Sequence, residues 1–306
     1  MEGETAQEAI KKNWHDKHYK ILLLIPILII IFSLIYLVIT YHNTGDFMKK
    51  DITLTGGSSI TIYEGNISSQ TVLRDLSSKL PNLDVRSISG IGTSSQKALT
   101  IDTTADWDSA KVVLEKYFGY PLIQGENVDV EFTGSTLSQS FYEQLLIAIL
   151  VAFIFMSVVV FITFKTFVPS MAVIFSAFAD ILMALVAADL FGMKISTAGI
   201  VAFLMLIGYS VDTDILLTTR MLKRDEGTLN ERIFGAFKTG ITMTLTSLFA
   251  VGFAWIVVQS FSAVLAQIFA ILVIGLFFDM VNTWITNVSI LKFYVEHKAK
   301  KGELKK

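Results

Sequence analysis

The sequence contains no cysteine, and only four prolines and four histidines. Without cysteine there is no disulfide framework, no thiolate nucleophile and no Cys-ligated zinc site, so any part outside the cytoplasm folds on packing alone. His15, His18, His42 and His297 flank the apolar segments and never cluster. That spacing offers neither a histidine metal centre nor a catalytic triad, and it weighs against a soluble enzyme. Charge is scarce too: 17% of the 306 residues are Asp, Glu, Lys or Arg, against 53% hydrophobic, and the net charge is −2. This balance places the chain with membrane proteins. Neither a cofactor, a metal nor a nucleic-acid partner is expected.

What is abundant is long apolar runs. A hydrocarbon core about 30 Å thick needs about 20 apolar residues in a helix. Six stretches meet that length: residues 21–40, 145–164, 171–191, 197–219, 241–258 and 264–291. The first is longer than a signal-peptide core and has no small-residue cleavage site after it, so it reads as an anchor. Pro26 falls in its first turns, where proline is tolerated. Sixteen of the 25 Lys and Arg residues lie on one side of the membrane if both termini are cytoplasmic, whereas the short outer loops then hold only Lys194. The expected organisation is a cytoplasmic segment 1–20, a first span 21–40, an extracytoplasmic domain 41–140, a five-helix region 141–291 and a basic cytoplasmic tail 292–306.

Residues 41–140 carry the only candidate soluble domain. ITLTGGSSITIY (52–63) reads as a strand, SQTVLRDLSSKL (69–80) as a helix, LDVRSIS and KALTIDT as two strands, DSAKVVLEKYF (108–118) as a helix and VDVEF (128–132) as a strand. The order β-α-β-β-α-β predicts a ferredoxin-like α+β domain. Between the two middle strands, SGIGTSS offers Gly90 and Gly92 but no third glycine and no following helix, so it reads as a turn rather than a dinucleotide fingerprint.

The apolar runs are interrupted by acids. GYSVDTDILLTTR (208–220) puts Asp212 and Asp214 inside the fourth span, Asp180 lies midway through the third, and Asp279 lies in the sixth. Asp189 is close enough to a span end to be interfacial. An acid at the centre of a spanning helix costs about 2.5–3.5 kcal/mol on insertion scales, so such residues face protein or water. Asp212 and Asp214 are about 200° apart around a helix and cannot share a face. A carboxyl whose surroundings alternate between dry and wet takes up and releases protons, which makes these four residues candidates for ion coupling. The functional reading is favoured most for Asp212. The structural alternative is that the acids stay protonated and tie helices together. In the fifth span Thr239, Thr242 and Thr246 recur every three or four residues as one polar stripe that needs partners inside the bundle, either as a polar path or as helix packing. Lys238 beside it is a boundary anchor or a charge partner.

These motifs resemble the SecF family, membrane subunits of the SecD–SecF protein-export complex, and the archaeal type most of all. IGYSVDTDILLTTR is similar to the family's fourth-span signature, which runs through an acid to a basic residue, here Arg220. DITLTGG, with Gly56 and Gly57, is similar to the opening motif of the family's outer domain, and Asp180 falls where the family has a third-span acid. Three departures stand out. The bacterial fourth-span acid falls at Thr213, the bacterial fifth-span Arg corresponds to Lys238, and Asp279 has no bacterial counterpart. The resemblance implies a polytopic α-helical protein, one six-helix half of a resistance-nodulation-division-type bundle, with a SecD-like subunit supplying the other half. It implies assistance to export of polypeptide from the Sec translocation channel, driven by an ion gradient, with membrane lipid around the bundle and no covalent chemistry. The alternatives are half of a small-molecule exporter of the same superfamily and a non-transporting factor that steadies the Sec channel.

Overall fold

The computed structural model describes Tyr19 and residues 21–63, 67–89, 96–223 and 227–300. Residues 90–95 of the SGIGTSS turn lie outside the described residues. Six helices are long and apolar enough to cross a membrane. They are α1 (Leu24–Thr44), α5 (Ser135–Phe164), α6 (Phe167–Leu190), α7 (Thr197–Lys223), α8 (Leu229–Val258) and a last rod. The rod runs through α9 (Ala263–Val281), a π-helical segment (Asn282–Asn287) and α10 (Val288–Lys300). The chain is thus a polytopic helical membrane protein, and each apolar run of the sequence is one of these helices.

The helix ends follow local chemistry. Gly45 ends α1 in the left-handed region, its N–H donating to the Tyr41 carbonyl at 2.8 Å. Thr228 and Glu231 form a reciprocal capping box at the start of α8. Ser262 caps α9 by accepting the Leu265 N–H. Within the bundle α6 and α7 are central, with 67% and 56% of their spanning stretches buried, whereas α5 and α8 have only 6% and 11%. The central position of α6 and α7 decides where the acids end up.

Between α1 and α5 lies an α+β domain. Its elements are α2 (Ile52–Thr55), β1 (Gly57–Ile62), α3 (Ser69–Leu76), β2 (Asp84–Ser89), β3 (Gln96–Thr103), α4 (Trp107–Phe118) and β4 (Val128–Thr133). The sheet order is β2-β3-β1-β4 with every neighbouring pair antiparallel. Alternation puts Ile60, Ile62, Leu99, Ile101 and Val85 on one face, where Val72, Leu76, Ala110 and Leu114 of α3 and α4 cover them. The opposite face is polar: Ser59 donates to Asp102 at 2.6 Å, and Arg86 forms a close ion pair with the same carboxylate.

The expectation of one strand over 52–63 is corrected. Asp51 accepts the Ile52 N–H at 2.7 Å and caps a helical turn, and Leu54 from that turn packs into the membrane bundle with Met48 and Phe203. The strand starts only at Gly57. Gly56 and Gly57 have positive φ, and a side chain on either would meet backbone: Ser135 Cα at 2.5 Å for Gly56 and the Thr103 carbonyl at 2.2 Å for Gly57. The paired glycines therefore let β1 pass tightly between the start of α5 and the end of β3.

This junction also ties the domain to the fourth spanning helix. Asp51 N–H donates to the Ile195 carbonyl at 2.9 Å, Ile195 N–H to Lys49 at 2.7 Å, and Thr197 N–H, the first of α7, to the Thr53 hydroxyl at 3.1 Å. Asp189, at the end of α6, is buried, accepts from the Tyr36 hydroxyl and pairs with Lys49 at 3.5 Å.

Candidate functional site: a buried carboxyl cluster

Three of the four acids singled out in the sequence meet in the bundle. Asp180 on α6, Asp214 on α7 and Asp279 on α9 are each 0% exposed. The central helices α6 and α7 present them inward, and Ser210, one turn before Asp214 on the same face, joins them.

The sixth span contributes most of the polar contacts. Asp279, Asn282, Thr283, Thr286 and Asn287 fall at i, i+3, i+4, i+7 and i+8, which is one helical face, and all five are buried. The last four occupy the π-helical segment, a form that recurs at functional sites. Asp180 receives two donors, Ser210 Oγ at 2.6 Å on one oxygen and Asn282 Nδ2 at 2.6 Å on the other. Thr286 in turn donates to Asn282 Oδ1 at 3.0 Å. Asp214 Oδ1 accepts from Thr283 Oγ1 at 2.8 Å and Asn287 Nδ2 at 2.7 Å. Thr283 Oγ1 lies 3.3 Å from Asp279 Oδ1 and so bridges two carboxyls.

Among the described residues no Lys, Arg or His forms an ion pair with any of the three acids. A buried group of carboxyls without a cationic side chain stays neutral only by holding protons or a bound cation. The arrangement is therefore able to exchange positive charge.

The other candidates lie elsewhere. Asp212 is exposed, on a stripe of α7 with Val201, Met205 and Tyr209 that faces out of this chain. Lys238, Thr242 and Thr246 are also exposed, and the expectation that the threonine stripe points into the bundle is corrected for those two. Their hydroxyls bond back to their own helix, Thr242 to the Lys238 carbonyl at 2.8 Å and Thr246 to Thr242 at 2.7 Å. Thr239 alone reaches another helix, accepting from Arg220 Nη2 at 3.0 Å while Arg220 Nη1 donates to the Gly235 carbonyl at 2.6 Å. Ser210, Asn282, Thr283 and Asn287 were not singled out from the sequence. Polar residues at membrane depth repeating on one face of the sixth span are the signal that marks Asn282, Thr283 and Asn287.

Comparison with known proteins fits this architecture. Residues 117–297 match the family model described as "Protein export membrane protein SecD/SecF, C-terminal". The protein-export membrane protein SecF of Pyrococcus furiosus is 37% identical over 277 residues, covering 90% of this chain and 91% of the relative. That of Methanocaldococcus jannaschii is 38% identical over 297 residues, covering 93% and 99%. Among solved structures, SecDF of Thermus thermophilus, described as a translocon-associated membrane protein, superposes with a TM-score of 0.71 at 18% identity. The match takes in 92% of this chain and 38% of the SecDF chain. With six spans, an α+β domain after the first of them, and full-length relatives at this identity, the chain belongs to the SecF family of protein-export membrane proteins.

Proposed function

We propose that the chain is the SecF-like half of an ion-driven auxiliary to protein export, working with a SecD-like partner and the Sec translocation channel to move polypeptide across the cell membrane. The observation that carries this reading is the fully buried Asp180–Asp214–Asp279 cluster, in which Asp214 belongs to α7, the helix whose first residue is hydrogen-bonded to the base of the α+β domain. A change of charge at Asp214 that shifts α7 acts on the domain through that junction. In this reading both termini are cytoplasmic, residues 41–140 face outward, and that domain is ferredoxin-like, a class supported by its element order and its β2-β3-β1-β4 sheet. The six helices form one half of a resistance-nodulation-division-type bundle, and the exposed α7 stripe with Asp212 packs against the SecD-like half.

The test is export of a secreted reporter in cells carrying Asp214→Asn in place of the wild-type chain, with and without collapse of the ion gradient. The expected outcome is that the variant accumulates in the membrane normally but exports at the rate of wild-type cells whose gradient has been collapsed. If export by Asp214→Asn cells still slows on collapse as much as in wild type, the cluster does not couple ions to export.

A further inference from the structure

Between the polar face of the sheet and the ends of the spanning helices lies a cleft of about 820 Å³. Its upper wall is the edge strand β2, with Asp84 and Arg86, and its sides are the α6–α7 and α8–α9 turns, with Lys194 and Gln259. Below the turns it continues along α9, from Ala263 past Ala266 and Ala270 to Ile274. That run rises about 16 Å along the helix, close to one leaflet of a hydrocarbon core about 30 Å thick. Trp255 of α8 also lines it, a side chain suited to a place where apolar and wet surroundings meet. The cleft is thus polar at one end and apolar at the other.

Its charges are unevenly matched. Arg86 forms a close ion pair with Asp102 and has Asp84 3.8 Å away, so its charge is met inside the domain. Asp51, also in this wall, is engaged by the Ile52 N–H. Lys194 Nζ donates to the Asn82 carbonyl at 3.2 Å, and among the described residues no carboxylate lies in ion-pair range of it. A polypeptide strand added to the β2 edge would suit the polar end alone, because its backbone groups would go unsatisfied beside Ala270 and Ile274. A hydrocarbon chain carries no such groups.

We propose that this cleft binds one membrane lipid, its phosphate headgroup at Lys194 and one of its chains along the Ala266–Ala270 groove of α9. The phosphate supplies the negative charge that Lys194 lacks, and the chain covers the small side chains below it. Every wall of the site comes from this chain. The inference goes beyond the function proposed above and needs only that the bundle spans a membrane, so it stands or falls apart from ion coupling.

The experiment is native mass spectrometry of the purified full-length chain in detergent micelles, titrated with dioleoyl phosphatidylglycerol. The expected result is one lipid that binds before the rest, with a Kd about 10-fold lower than theirs. Lys194→Gln keeps a donor for the Asn82 carbonyl but not the charge, and should raise that Kd about 10-fold. Ala266→Leu fills the groove and should abolish the preferred binding, and both variants without lipid should unfold at the wild-type Tm. A continuous series of equivalent lipids, or preferred binding that Lys194→Gln retains unchanged, would overturn the site. So would full displacement of the first lipid by inorganic phosphate, which would mark a site for a free anion, or a bound peptide in its place, which would mark strand addition at β2.

Discussion

Asp51 caps α2 through the Ile52 N–H and is buried between the bundle and the polar face of the sheet, near Asp102, Asp84 and Arg86. Burial raises its pKa above the usual carboxylate value, reinforced by Asp102 and Asp84, while the Ile52 hydrogen bond and Arg86 act the other way. A carboxyl whose pKa is raised on folding binds its proton more tightly in the folded state. Its contribution is most favourable below the unfolded pKa and declines as pH rises through the folded one. Asparagine retains the capping oxygen and never ionises. Asp51→Asn should therefore raise thermal stability relative to wild type at about pH 7, with the difference shrinking toward about pH 4. Unfolding of the purified chain at the two pH values checks this, and lower stability of the variant at neutral pH would mean that Arg86 needs the Asp51 charge. At this scale the sequence was partly legible. Asp180, Asp214 and Asp279 stood out because an acid in an apolar run is costly. Ser210 did not, because a lone serine in a spanning helix is unremarkable.

The elements meet the sequence reading wherever one signal dominates. Six apolar runs gave six helices because length and hydropathy alone decide that outcome. Residues 52–55 went astray because ITLT alternates like a strand, while the Asp51 cap and the docking of Leu54 into the bundle decide for a helical turn. The threonines of α8 and the polar residues of the sixth span obey the same periodicity, yet one stripe faces outward and the other inward. Periodicity defines a face, and packing decides what that face meets. Gly275 makes this concrete. It sits one turn before Asp279 on α9, and a Cβ there would lie 2.4 Å from Leu206 Cδ2 of α7, itself fully buried. Gly275→Ala should lower stability by about 1–3 kcal/mol through overpacking, read as a fall in Tm. In a Leu206→Ala background the same change should cost less, the coupling being read from a double-mutant cycle, and an unchanged Tm in the single variant would contradict the close α7–α9 contact.

As a whole molecule the chain reads as incomplete in the membrane. The outward faces of α1 and α5 are apolar and suit lipid, whereas α7 turns Asp212 outward among Val201, Met205 and Tyr209. An acid at that depth needs protein or water beside it, which is what a second half-bundle on that stripe would supply. In the function proposed above, the buried cluster is the ion-handling part of the molecule, with the hydrogen-bonded junction from Lys49 to Thr197 as its link to the α+β domain. The most direct measurement is ion flux into proteoliposomes that contain the chain with its SecD-like partner, under an imposed gradient. The account predicts that the wild-type complex dissipates the gradient faster than empty vesicles and that Asp214→Asn complexes match empty vesicles. Equal flux through wild-type and Asp214→Asn complexes would contradict it.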